Sequence, residues 1–241
     1  MFTVEDFLRA IEVNGYAIEP NAVPLDAIDR LRSAVEPLLA ELTRVQGGVR
    51  DVLARVPAVR EWAASSGARR WAEAILGPDC VAVNALLFDK ADGRNWKVPY
   101  HQDVTVRFRR RIDLPGFGPW WEKAGVPHVW PPAAVVERVV ALRVHLDDCG
   151  PENGPLRVLP GSHRTGVLSD EAIDAWKSRV PEVACHARAG DVLVMRPLLL
   201  HASSAAALPD RRRVIHVEYA ALDLPGGLEW YEAVKADRQP G

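Results

Sequence analysis

Val81–Phe88 reads VAVNALLF, the first of a series of short apolar runs with a two-residue period. HQDVTV (101–106), VERVVALRVHL (136–146), LRVL (156–159), DVLVM (191–195) and RVIHVEYA (213–220) follow, separated by turn signals. Strands of this length and number, with no helices interleaved between most of them, predict a β-sandwich or jelly roll rather than a parallel α/β sheet. One helix interrupts the series: Ser169 caps it, Asp170 and Glu171 favour its positive end, and it runs to about Arg179. Before Cys80 the pattern is helical. Thr3 caps a helix through Ile11 that Asn14-Gly15 stops, and Leu25 to Gln46 carries an apolar stripe ended by Gly47-Gly48. Shorter helices are expected around Val56–Ser65 and Ala68–Leu76.

The expected organisation is a single mainly β domain with N-terminal helices: a helical support segment over 1–79, a β core over 80–222 and a tail over 223–241. Residues 109–133 are rich in Pro, Gly and Trp, too long for a simple connection, and are read as a lid-like insertion.

Thirty Lys and Arg against 32 Asp and Glu leave no bulk positive field for nucleic acid or anionic lipid. Cys80, Cys149 and Cys185 show no paired spacing, which implies a reducing compartment. The N-terminal MFTVEDFLRA has acids where a signal peptide has bases, and no apolar run approaches a membrane span of roughly 18 residues. A cytoplasmic protein is expected, a monomer or weak homodimer whose partner is a small-molecule substrate.

In His101-Gln102-Asp103 two potential ligands are one residue apart, so on a strand or its end both leave the same face. A third candidate, His201, ends the apolar run DVLVMRPLLL a hundred residues on. Two imidazoles and one carboxylate form the facial set that leaves positions open on Fe(II), and zinc is the competing ion.

YHQDVTV (100–106), DDCGPENGPLRVLPGSHRTG (147–166), AGDVLVMRPLLLHASSA (189–205) and RRRVIHVEYA (211–220) together resemble the ordered motif set of the phytanoyl-CoA dioxygenase family. The resemblance covers roughly Val81 to Ala221. It implies a double-stranded β-helix of the cupin-like jelly-roll kind and Fe(II) held by His101, Asp103 and His201. It also implies 2-oxoglutarate and O2 as co-substrates, ascorbate as a supporting reductant, and hydroxylation of a small organic or acyl substrate with release of succinate and CO2.

In the family an arginine follows the second histidine by about eleven positions, here Arg212. A hydroxyl two positions after that histidine matches Ser203, and Asn84 stands where a polar co-substrate contact is often placed. A planar guanidinium suits the distal carboxylate of a diacid.

Alternation puts Arg212 with Val214, His216 and Glu218 on one face, and Arg211 and Arg213 on the other, without saying which face looks inward. Asn153-Gly154 is read as a hairpin turn, Pro160 to His163 as another turn, and His128, His186 and His216 as structural or surface residues. Trp120, Trp121 and Trp130 are candidates for a substrate wall, His145 for a pocket lining, and Arg107, Arg109, Arg110 and Arg111 for an anion contact. The alternatives are a zinc hydrolase, a cofactor-independent dioxygenase and a catalytically silent binding module. A halogenating relative would lack the carboxylate that Asp103 supplies.

Overall fold

The computed structural model describes residues 3–40, 48–91, 95–208, 210–221 and 223–236. The Thr3 hydroxyl accepts the Asp6 N–H, and Asp6 returns the bond to the Thr3 backbone, starting α1 (Val4–Asn14). Gly15, at φ 85°, ends it in the left-handed conformation that glycine adopts without strain. The chain then enters a strand, β1 (Tyr16–Glu19), which the helical reading of the first eighty residues did not contain.

Helices α2 (Leu25–Leu39), α3 (Val52–Arg55), α4 (Pro57–Ala64) and α5 (Ser66–Leu76) follow. The expected continuation of α2 over 41–46 lies outside the described residues. The β region opens with β2 (Val81–Lys90), β3 (Val98–His101), β4 (Val106–Arg107), β5 (Trp120–Lys123) and β6 (Val126–Val129). Next come the short α6 (Ala133–Val136), β7 (Val139–His145), β8 (Leu156–Val158) and α7 (Asp170–Arg179). The series closes with β9 (Val183–Cys185), β10 (Val192–Met195), β11 (His201–Ser203) and β12 (Arg212–Ala220).

Two antiparallel sheets face each other as a jelly roll, in the orders β1-β10-β7-β12-β2 and β3-β11-β8-β9, with a small third sheet β4-β6-β5. The two faces of the large sheet have different partners. Val140, Leu142 and Val144 of β7, with Ile215, Val217 and Tyr219 of β12, pack on Ile28, Val35, Val59 and Trp71 of the helices. Each such side chain contributes roughly 1.5–3 kcal/mol by leaving water. The buried Tyr219 hydroxyl donates to the Ala63 carbonyl at 2.9 Å, tying β12 to α4. The opposite face looks into the barrel, where Ala141, Leu193 and Met195 meet Leu156, Val158 and Cys185 of the second sheet.

Several local expectations are corrected. DVLVMRPLLLH is not one strand: β10 ends at Met195, and the chain turns at Arg196–Leu199 and crosses to the other sheet, where His201 begins β11. Pro197 has no N–H to continue a ladder, and the Arg196 N–H is used by the Gly15 carbonyl at 2.8 Å. Asn153-Gly154 likewise joins strands of different sheets, so it is a crossover and not a hairpin. VERVVALRVHL starts as helix α6 and becomes strand only at Val139. The segment 109–133 contains the β5–β6 hairpin, and the described C-terminal residues fold back, Val234 bridging to Ala82 and Trp230 to Phe108.

Candidate metal centre and its two chambers

His101, the last residue of β3, pairs directly with His201, the first of β11, and their ring centroids lie 4.1 Å apart. Each ring is oriented the same way. His101 Nδ1 is 2.9 Å from the Pro99 carbonyl and His201 Nδ1 is 2.8 Å from that of Leu199. A carbonyl only accepts, so Nδ1 carries the hydrogen in both rings and each Nε2 presents a lone pair forward. Asp103 lies just beyond β3, fixed by its N–H to the Pro197 carbonyl at 2.9 Å. Between them Gln102 turns the opposite way, donating to the carbonyls of Gly166 and Leu198 and accepting from the Leu168 N–H. That anchor preserves the alternation after the strand has ended.

The Asp103 oxygens are 3.5 Å from the Nε2 of His101 and of His201. One ligand atom from each of the three residues falls within 4.8 Å of the others. Burial pushes the Asp103 carboxyl up, but the two imidazoles outweigh it and hold the group well below the usual carboxylate range. Burial lowers His201 to about 4, while at His101 the Asp103 carboxylate overcomes burial and raises the pKa. Asp103, His216 and Glu218 form a second group with ligand spacing. Arg143 Nη1 stands 3.0 Å from His216 Nδ1 and Glu218 lies 3.4 Å from its Nε2, so both nitrogens of that ring are engaged. The His101, Asp103 and His201 donors are the free ones, and their facial N, N, O character fits a divalent iron.

On one side of these ligands lies a chamber of about 260 Å³ lined by Lys90, Arg143, Ser203 and Arg212. Arg212 and Lys90 are cross-strand partners, both buried and pointing into the barrel. Arg212 Nη1 donates to the Gly154 carbonyl at 2.7 Å, while its buried Nε has no partner. Lys90 Nζ donates to Ser203 Oγ at 3.1 Å and to the Ser204 carbonyl. Burial and then the Arg212 charge lower the Lys90 amine to about 7. Arg211 and Arg213 turn outward, Arg213 to Asp147 and Arg211 to Glu36. On the other side opens a cavity of about 950 Å³ that shares His101, Asp103 and Glu218 with the chamber.

The sequence pattern of the family described as Phytanoyl-CoA dioxygenase (PhyH) matches residues 11–214. The chain belongs to this family. Family membership makes it a dioxygenase, in preference to the hydrolase and binding-module alternatives. No curated protein matches by sequence. Among solved structures, EctD from S. alaskensis with 2-oxoglutarate and 5-hydroxyectoine is similar at 22% identity, over 96% of this chain and 86% of that one, with a TM-score of 0.73. AviO1 from Streptomyces viridochromogenes Tue57 is 23% identical over 94% and 97%, with a TM-score of 0.65. The alpha-ketoglutarate-dependent epimerase SnoN from nogalamycin biosynthesis is 18% identical over 98% and 95%, with a TM-score of 0.69. At these identities the likeness shows the shared jelly-roll fold.

Within this member of the phytanoyl-CoA dioxygenase family, the structure brings His101, Asp103, His201, Ser203 and Arg212 together around one chamber. Asn84 is not with them. It lines the larger cavity and bonds to Glu218 and Arg107. Trp121 lines that cavity, stacked on His128 with centroids 5.8 Å apart, whereas Trp120 packs against Phe108 and Trp130 is half exposed. His145 is buried and lines neither space, and burial lowers its pKa to about 3. His216 and His128, expected to be structural or surface residues, face the chamber and the cavity respectively, while His186 is exposed. Arg107 is buried and held by Asp51, Asn84 and Glu232, whereas Arg109, Arg110 and Arg111 face solvent. His163 approaches the Glu12 carbonyl, away from the metal ligands.

Lys90 and Arg143 were missed by sequence reading. Alternation along β2 puts Lys90 on the face of Asn84, Leu86 and Phe88, a signal that was available.

Proposed function

We propose that this chain is an Fe(II)- and 2-oxoglutarate-dependent hydroxylase whose iron is held by His101, Asp103 and His201. Arg212, Lys90 and Ser203 anchor the distal carboxylate of 2-oxoglutarate. The observation that carries the reading is the charge of the small chamber: three buried cations, Lys90, Arg143 and Arg212, share it with the metal ligands. Buried positive charge without a partner is costly, and a dianion lying between the ligands and Arg212 supplies that partner. The unpartnered Nε of Arg212 and the depressed pKa of Lys90 both agree with a binding anion.

When bound, iron and 2-oxoglutarate supply the oxidising chemistry, in which O2 is consumed, succinate and CO2 leave and a substrate C–H bond is hydroxylated. The protein does the placing. The Pro99 and Leu199 carbonyls fix the imidazole tautomers, Asp103 provides the anionic donor, and Arg212 with Lys90 sets the direction of the diacid. The larger cavity, meeting the chamber at His101 and Asp103, receives a small organic or acyl substrate. Asn84 is accordingly placed on the substrate side. A cytoplasmic location fits the three free buried cysteines; a monomer or weak homodimer, with ascorbate as a supporting reductant of the reaction, completes the proposal. Succinate release from 2-oxoglutarate, dependent on added Fe(II) and lost in Asp103→Ala, tests it. Turnover supported equally by zinc would overturn it.

A further inference from the structure

The larger cavity has a polar floor that iron and 2-oxoglutarate do not explain. A hydrogen-bonded chain crosses it. Arg107, held by Asp51 and Glu232, donates to Asn84 Oδ1 at 2.5 Å, and Asn84 Nδ2 donates to Glu218 Oε2 at 3.0 Å. On the far side Arg143 meets His216 Nδ1 at 3.0 Å, so that nitrogen accepts and Nε2 carries the hydrogen that faces Glu218 Oε1 at 3.4 Å. Glu218 is therefore fixed from both sides by neutral groups. Among the described residues it makes no ion pair with Lys or Arg, although its side chain is only 15% exposed. Its ligand atom also lies within 4.8 Å of one on Asp103, beside a like charge.

A carboxylate has about four lone-pair sites, and two are used here. Glu218 lines both spaces, next to His101 and Asp103. We propose that Glu218 is a specificity-determining residue that accepts a hydrogen bond from a substrate hydroxyl, so that the substrate is a hydroxylated compound rather than a plain acyl chain. A bare methylene chain would cover Asn84, Arg107 and Glu218 without returning a hydrogen bond, which a buried polar floor disfavours. Arg50, Arg55, Arg107 and Lys123 line the cavity together with Asp51, Asp103 and Glu218, so its walls carry both signs of charge.

The inference rests on the iron reading only for which bond is oxidised, and its test can be separated from that reading. The protein loaded with Fe(II) and 2-oxoglutarate is titrated without oxygen with three sets of probes of matched chain length: hydroxylated fatty acids, unsubstituted fatty acids and alkylamines. Saturation-transfer NMR reports binding. The hydroxylated probes should bind at least about tenfold more tightly than their unsubstituted counterparts. Glu218→Ala should abolish that preference, and Glu218→Gln, which keeps an acceptor oxygen, should retain part of it, with iron content and 2-oxoglutarate affinity preserved in both. Equal or tighter binding of the unsubstituted acids or amines overturns the proposal, as does a preference that survives in Glu218→Ala or no binding of any hydroxylated probe. Should the variants fail to fold, the wild-type ranking alone decides. If the wild type binds neither iron nor 2-oxoglutarate, the hydroxylase reading fails, and the same ranking on metal-free protein still judges Glu218.

Discussion

Adjacent residues in this site have unlike tasks. Arg212 points into the barrel between Lys90 and the Gly154 carbonyl, whereas Arg211 and Arg213 reach Glu36 and Asp147 at the outer edge. Leaving a buried carboxylate without its charged partner costs about 2–5 kcal/mol, on the order of 30- to several-thousand-fold in affinity. Arg212→Ala is therefore expected to raise the 2-oxoglutarate requirement by at least about tenfold with iron still bound, while Arg211→Ala changes it little; calorimetric titration of the iron-loaded proteins checks this. Lys90→Met should behave like Arg212→Ala, though less severely, because Arg212 still offers a charge. His163→Ala, far from the ligands, should leave iron affinity untouched. Alternation made the grouping of Arg212 with His216 and Glu218 legible, but a two-residue period carries no label for inside and outside. Only the packing of Val217 and Tyr219 on the helices decides that Arg212 faces the barrel. Lys90 escaped notice because a lysine closing a strand usually extends into water, and its burial depends on Ser203, which is 113 residues away.

Among the elements, the β5–β6 hairpin separates its two tryptophans by the strand pleat. Trp121 opens on the large cavity beside His128, and Trp120 turns to the cluster around Phe108. Trp121→Ala should weaken substrate binding while leaving substrate-free 2-oxoglutarate consumption near wild type. Trp120→Ala should instead lower the melting temperature, a loss of about 3–5 kcal/mol if the ring is fully packed and less for its partial burial. Equal thermal losses in both would refute the division.

The crossover at Gly154 makes a second demand. Its φ is 61°, and a Cβ there would sit 2.5 Å from the Ser204 carbonyl oxygen. Gly154→Ala should thus destabilise the fold and, by shifting the carbonyl that Arg212 uses, weaken 2-oxoglutarate binding as well. The glycine was legible as a turn, but its partners were not. A hairpin and a sheet-to-sheet crossover demand the same local torsions, and only the pairing of β8 with β11 distinguishes them. The same limit explains β10 and β11: an unbroken apolar run hides a change of sheet, because both halves are buried.

At the scale of the whole molecule, the helices cover one face of the large sheet and leave its other face to close the barrel with β3, β11, β8 and β9. The proposed metal ligands come from β11 and from the end of β3 and the residues just beyond it, and the buried cations of the chamber from β2, β7 and β12 of the opposite sheet, so the site spans the barrel. A ligand bridging the two sheets should stabilise the folded state by mass action. Fe(II) with 2-oxoglutarate is therefore expected to raise the melting temperature more than either alone. The four ordered motifs made the fold class legible, and the three candidate donors that they single out lie together in the structure. The division into two spaces was not legible, since it depends on Glu218, Asn84 and Asp103 meeting from distant strands.

If His101, Asp103 and His201 hold an iron against which Arg212 anchors 2-oxoglutarate, an anaerobic Fe(II) titration followed by 2-oxoglutarate, read by visible absorption, reports it most directly. One iron per chain and a weak charge-transfer band that appears only with 2-oxoglutarate, absent in Asp103→Ala and displaced to higher 2-oxoglutarate concentration in Arg212→Ala, is the predicted result. Stoichiometric zinc in place of iron, with no effect of 2-oxoglutarate on the metal spectrum, would contradict it.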